Sequence, residues 1–151
     1  NLMAHGAPDH TRLAESGFAH YVDRVVPRPG GALVATPAWE EALNVDIQGV
    51  FGYMWAWSDT YLFEVRITID GVIVFHHTIN TLRGGGFWNA SSSWDKMGCT
   101  MFNEVIGDEG FGMFYDEKWG LYIHHNITIH CRRAGALGTQ ASWTIYYKEL
   151  I

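Results

Sequence analysis

Cysteine is scarce in this 151-residue chain, where only Cys99 and Cys131 occur. Two thiols so far apart make neither a zinc module nor a disulfide scaffold, so the fold has to rest on its core. Their plain reading is as small buried hydrophobes, with a Cys99–Cys131 bridge as the alternative. Proline is also sparse, at four residues. Long apolar runs are missing, and none approaches the ~18 residues that a membrane-spanning helix needs. Basic residues are few, ten against sixteen acidic ones, for a formal charge of -6 and no basic cluster beyond Arg132-Arg133. A phosphate-tracking surface is therefore excluded, and neither nucleic acid nor a membrane is expected as a partner.

What the chain does have is apolar and aromatic material, with 48% hydrophobic residues, seven Trp, seven Tyr and eight Phe. That is enough for one core but leaves too few residues for a second. Seventeen glycines point to many turns, as a strand-rich fold requires.

Residues 1–31 differ from the rest. They are polar, carry three of the eight histidines, and end in Pro27-Arg28-Pro29-Gly30-Gly31, which reads as a linker. The expected division is an N-terminal arm and linker at residues 1–31 and a β-sandwich domain at residues 32–151. The chain opens at Asn1 without an initiator Met or a basic-apolar leader, so a processed product is the expectation.

From there on, period two dominates. Leu43, Val45, Ile47, Gly49, Phe51, Tyr53, Trp55 and Trp57 occupy one parity, which predicts a long strand, or two joined at Gly49 or Gly52, with Trp55 and Trp57 filling or closing the core. Phe63, Val65, Ile67 and Ile69 alternate with polar residues in the same way. At Asp70-Gly71 a hairpin is expected. A three-residue loop, Ile69-Asp70-Gly71, pairs Ile67 with Ile73 and Val65 with Phe75, and keeps more apolar residues on one face than a two-residue loop does. Gly71 then takes a left-handed conformation. Thr81 to Trp94, with Gly84-Gly85-Gly86 and Ser91-Ser92-Ser93, reads as a long exposed loop. Further strands are expected at Met97–Ile106 and Phe111–Tyr115 with a turn at Gly107-Asp108-Glu109-Gly110, at Leu121–Cys131 with odd residues inward, and at Ala141–Glu149 with Trp143, Ile145 and Tyr147 inward. The sum is an all-β, antiparallel two-sheet jelly roll or β-sandwich of about eight strands with an extended N-terminal arm. An immunoglobulin-like sandwich is the second choice.

Few residues carry a chemical signature. Within His76-His77 and His124-His125 the neighbours point to opposite faces of a strand, and His124 and His130 are about 20 Å apart at ~3.3 Å per residue, so no pair within one strand chelates an ion. A cross-strand site joining His77 to His125 needs those strands to pair. No metal and no cofactor is expected. Paired carboxylates for glycosidase chemistry are sought among Asp46, Glu64, Asp95, Glu104, Asp108, Glu109, Asp116 and Glu117, most of them at turns or on outward faces. There is no Gly-x-Ser-x-Gly elbow and no phosphate loop, and no catalytic residue is assigned. Asn89-Ala90-Ser91 and Asn126-Ile127-Thr128 match the glycosylation sequon. The aromatic residues at strand ends and in loops are the better clue: Trp55, Trp57, Trp88, Trp94 and Trp119 offer rings to stack on a sugar or anchor a protein partner, with core filling as the alternative for Trp55 and Trp57. Trp88 and Trp94, with Phe87, Asn89 and Trp119, are the candidate contacts to a glycan or a protein partner.

Val65-Arg66-Ile67-Thr68-Ile69-Asp70-Gly71-Val72-Ile73-Val74-Phe75, preceded by Ile47-Gln48-Gly49-Val50-Phe51-Gly52-Tyr53, resembles a hairpin of minor structural proteins of tailed bacteriophages, over about residues 47–75. The closing Trp143-Thr144-Ile145-Tyr146-Tyr147 strand is compatible with viral jelly rolls. The resemblance implies a non-enzymatic decoration, collar, tail or fibre component, located in a virion or outside the cell. Its partners would be copies of itself or other virion proteins, held through the arm and the loops. A carbohydrate-binding sandwich using the loop aromatics is the alternative, and a glycosidase-like enzyme is third.

Overall fold

Phe63, Val65, Ile67 and Ile69 are buried while the residues between them are not, so the alternation read in the sequence is the alternation of a sheet with one face on the core. The computed structural model describes residues 20–32, 38–82, 99–105, 108–114, 121–133 and 140–151. Among them the elements are β1 (Tyr21–Ala32), β2 (Glu40–Val45), β3 (Gly49–Ser58), β4 (Phe63–Ile69), β5 (Val72–Thr78), a single helical turn α1 (Ile79–Leu82), β6 (Cys99–Val105), β7 (Asp108–Phe114), β8 (Leu121–Ile123), β9 (Ile127–Arg133) and β10 (Gln140–Leu150).

Two antiparallel sheets form. One runs β1-β10-β3-β7-β6, with β8 also paired to β3, and the other runs β2-β9-β4-β5. From β1 to β4 the chain changes sheet at every step, and it does so again from β8 to β9 and from β9 to β10. Orders 1-10-3-7 and 2-9-4-5 are those of a jelly roll; in an immunoglobulin-like sandwich the sheets are divided differently. The core lies between the sheets. Phe51, Met54 and Ile145 of the first face Phe63, Val65, Ile67, Ile127 and Ile129 of the second, all 0% exposed. Each such side chain contributes roughly 1.5–3 kcal/mol by burial. The rings of Phe63 and Trp143 stack across the gap, with centroids 6.2 Å apart.

Several expectations are corrected. The arm boundary at residue 31 moves, because Tyr21–Ala32 is strand β1, paired with β10 from Tyr21↔Leu150 to Ala32↔Gln140. Proline hid it: Pro27 and Pro29 lack an N–H, which a strand at the edge of a sheet tolerates, and the register shifts between Arg28 and Gly31 where Pro29 and Gly30 fall. Residues 1–19 lie outside the described residues. Of the one strand or two expected over 42–57 the structure has two, with the break at residues 46–48, just ahead of Gly49, and Gly52 resets the parity of the second. The register with β10 shifts there, Phe51 pairing with Tyr147 and Tyr53 with Tyr146. Beyond Gly52 it is Met54, Ala56 and Ser58 that are buried, so Trp55 and Trp57 leave the core they were expected to fill.

The hairpin uses the two-residue loop. Ile69 pairs with Val72, and both Asp70 (φ 51°) and Gly71 (φ 82°) are left-handed, the signature of a type I′ turn. The parity conflict is real, and a bulge within β5 resolves it: Thr68 pairs with Ile73 but Ile67 with Phe75, so Val74 is the extra residue. Phe75 is thereby returned to the core at 4% exposure, opposite Ile67 and not Val65. Elsewhere, Val105 pairs with Asp108, so Asp108, Glu109 and Gly110 belong to β7 and not to a turn. The strand expected at 121–131 breaks at residues 124–126, which leaves His125 exposed instead of inward.

Cys131 is a free, fully buried thiol on β9. Burial, reinforced by the nearby charge of Glu40, pushes it well above the ordinary thiol range, so it is unreactive.

Candidate functional site

The surface of the sandwich divides into two sheet faces, the strand edges and two polar ends. At one end Asp70 is held by three successive N–H groups: His124 donates to Oδ2 at 2.9 Å, while His125 and Asn126 donate to Oδ1 at 2.7 and 3.0 Å. Asn126 in turn gives its amide N–H groups to Asn44 Oδ1, Val45 O and Asp46 Oδ1. The β4–β5, β8–β9 and β2–β3 connections are thus tied into one knot. Its donors and acceptors are spent on each other, which suits a structural role. At the other end Ser58 Oγ donates to Gln140 O at 2.8 Å and accepts the Thr60 N–H at 3.2 Å.

The outer face of the β2-β9-β4-β5 sheet carries the charged side chains. Glu41, His130, Arg66 and His76 form one cross-strand row, and Arg132 and Glu64 begin the next. Trp39 lies across them, with the Arg66 and Arg132 guanidinium carbons 4.4 and 4.1 Å from its ring centroid. Glu64 pairs with Arg132 and with His76 at 3.4 Å, and Glu41 approaches His130 at 3.8 Å. The carboxylate that heads a glycosidase reading here, Glu64, is therefore already neutralised, and Asp46 accepts from Asn126.

The outer face of the other sheet is aromatic. Cross-strand pairs set Trp55 beside Thr144, Trp57 beside Ser142 and Tyr53 beside Tyr146. On the β7 side, Trp55 and Trp57 face Gly112 and Gly110, which place no side chain next to the indoles. Trp55 is 46% exposed. Tyr53 and Tyr146 stack at 4.9 Å, and the Tyr146 hydroxyl donates to Asp23 at 2.6 Å. A hollow of about 140 Å³ opens between Trp55, Trp57, Ser142 and Thr144, with Arg28 at its border. Arg28 itself is committed: it holds Glu40 in a two-pronged pair at 2.6 and 3.0 Å, donates to Ala141 O at 2.8 Å, and lies over Trp143.

Among the described residues, the other exposed large apolar groups within strands lie on β1 and β5. Val25 of β1 is 55% exposed, and Val72 and Ile73 of β5 are 62% and 55% exposed. Both strands end a sheet.

Of the residues singled out in the sequence, Phe87, Trp88, Asn89, Trp94 and Trp119 lie outside the described residues. His77 and His125 are not brought together, because β4 stands between β5 and β9. His77 titrates below the usual histidine value, through burial first and the neighbouring His76 second. Among the described residues no group of three or more His, Cys, Asp or Glu is placed to hold a metal ion. No helix among them is long and apolar enough to cross a membrane. The sequon asparagine Asn126 has its amide nitrogen engaged in the knot. Trp55 takes the exposed place that was the alternative to core filling, whereas the edge valines were not singled out, and the available signals were Gly52, which permits a parity reset, and the polar residues around Val25. No protein-family model matches the chain, and no curated protein matches it either.

Proposed function

We propose that this chain is a non-enzymatic structural protein that works by assembly with copies of itself or with other virion proteins, as a decoration, collar, tail or fibre component. The observation that carries the reading is where the exposed apolar side chains fall. Val25, Val72 and Ile73 stand on β1 and β5, the strands that end their sheets among the described residues. A solitary domain is better served by charges or lysines at such places. The likeness of residues 47–75 to phage structural proteins supplies the setting. Since residues 21–31 pair with β10 of their own chain, the contacts expected of an arm pass in this reading to the edges.

Substituting Val72→Asp together with Ile73→Asp places two charges on an edge and leaves the core untouched. Sedimentation should show the variant dissociated at concentrations where the parent chain is associated, with an unchanged far-UV spectrum. Association equal to that of the parent would remove the edge from the account.

A further inference from the structure

We propose that the outer face of the β1-β10-β3-β7-β6 sheet binds the ring of a neutral saccharide in the hollow between Trp55 and Trp57 of β3 and Ser142 and Thr144 of β10. This site is separate from the edges invoked above. In the strand order, β3 has two strands on the β1 side and two on the other, so Trp55 is exposed at the middle of a sheet and not at its rim.

The pairing of side chains suits a sugar. Twice in succession an indole lies beside a hydroxyl across the same strand pair, Trp55 with Thr144 and Trp57 with Ser142. A pyranose presents an apolar C–H face rimmed by hydroxyls, and so asks for a flat aromatic surface with donors and acceptors at its side. Gly110 and Gly112, the β7 partners of the indoles, contribute no side chain of their own there. The hollow, about 140 Å³ and open to solvent, seats part of a sugar ring and leaves the rest outside.

Charge decides between ligand classes. Arg28 is the cation that borders the hollow, and its guanidinium is neutralised by Glu40. A chain of net charge -6, with the paired Arg28 as the cation among the described residues that line the hollow, disfavours nucleotides and acidic sugars. A second copy of the chain would want continuous apolar area, whereas here Ser142, Thr144 and the Tyr146–Asp23 hydrogen bond interrupt it.

The test is a titration of the ¹⁵N-labelled protein with gluco-, N-acetylgluco- and galacto-oligosaccharides at millimolar concentration. At least one series should shift the indole N–H signals of Trp55 and Trp57 and the amides of Ser142 and Thr144. Trp55→Ala should weaken that binding about tenfold, the loss of roughly one stacking contact. No shift with any series, shifts that spare β3 and β10, or a Trp55→Ala protein that binds like the parent would overturn the proposal. The map on the unsubstituted protein stands even where the variant does not fold. The Val72→Asp, Ile73→Asp protein should retain the binding, which keeps the outcome apart from that of the assembly reading.

Discussion

Asp70 and Asn126 hold each other through both partners' backbones: the Asp70 N–H donates to the Asn126 carbonyl at 2.9 Å, and the Asn126 N–H donates to the Asp70 carboxylate at 3.0 Å. With the N–H groups of His124 and His125 on the same carboxylate, this pair joins the type I′ turn to the start of β9. Asp70→Ala should cost about 1–2 kcal/mol, as expected for charge-assisted bonds at a partly exposed site. Urea denaturation measures it, and a loss near zero would mean that the knot follows the fold without stabilising it.

Acid should loosen the same end. Burial by itself raises the Asp70 pKa, but the N–H groups of Asn126, His124 and His125, helped by the charge of His124, outweigh it and the net direction is down. The unfolded chain therefore takes up the proton first. The contribution is complete above the ordinary carboxylate value of about 4 and is lost as pH falls through the lowered value in the fold. Thermal melts of the parent and of Asp70→Asn should converge as pH drops through that range. Parallel curves would assign acid loss to other groups.

Gly49→Ala should destabilise the protein by about 1–3 kcal/mol, the usual cost of overpacking. A methyl group at residue 49 would run into the main-chain carbonyl of Lys148, which cannot swing aside as a side chain can. At Gly30 a methyl group meets nothing within 4 Å, so Gly30→Ala is the matched control and should be close to neutral. Equal melting temperatures for the two variants would contradict the β3–β10 packing.

Arg28 and Glu40 clasp the sandwich where β1 and β2 open it, at the side-chain exposures of 21% and 24% that mark a partly buried pair. Arg28→Met and Glu40→Gln should each cost about 1–2 kcal/mol, and the double variant less than their sum. A double-mutant cycle with a coupling near zero would show that the pair adds nothing to the closure.

Asn126 should carry no glycan in folded protein secreted from a eukaryotic host, although its sequon is intact. Its amide nitrogen already serves Asn44, Val45 and Asp46. Intact-mass measurement on secreted protein decides, and full occupancy at Asn126 would contradict the knot.

How much of this was legible in the sequence depends on glycine and on strand breaks. In β4 and β10 nothing interrupts the alternation, and Phe63, Val65, Ile67 and Ile69, like Trp143, Ile145 and Tyr147, are buried as their parity says. Where one residue is inserted, every later side chain changes face. Gly52 does this to Trp55 and Trp57, and Val74 does it within β5, and periodicity marks neither insertion. Strand β1 escaped because an edge strand needs only half of its hydrogen bonds, so its prolines and arginines mask its character. The polar knot was invisible for another reason: Asp70, Asn126 and Asn44 come together only after three connections meet at one end. Trp55 and Trp57 were legible as rings near a strand end that offer themselves to a sugar or a partner, but their outward face depends on the insertion at Gly52 and was not.

The assembly reading is tested most directly by the mass and symmetry of the parent chain at micromolar concentration, by native mass spectrometry and particle imaging. A closed oligomer is expected, a ring, trimer or shell whose subunits meet along β1 or β5. A monodisperse 17.0 kDa monomer would contradict it.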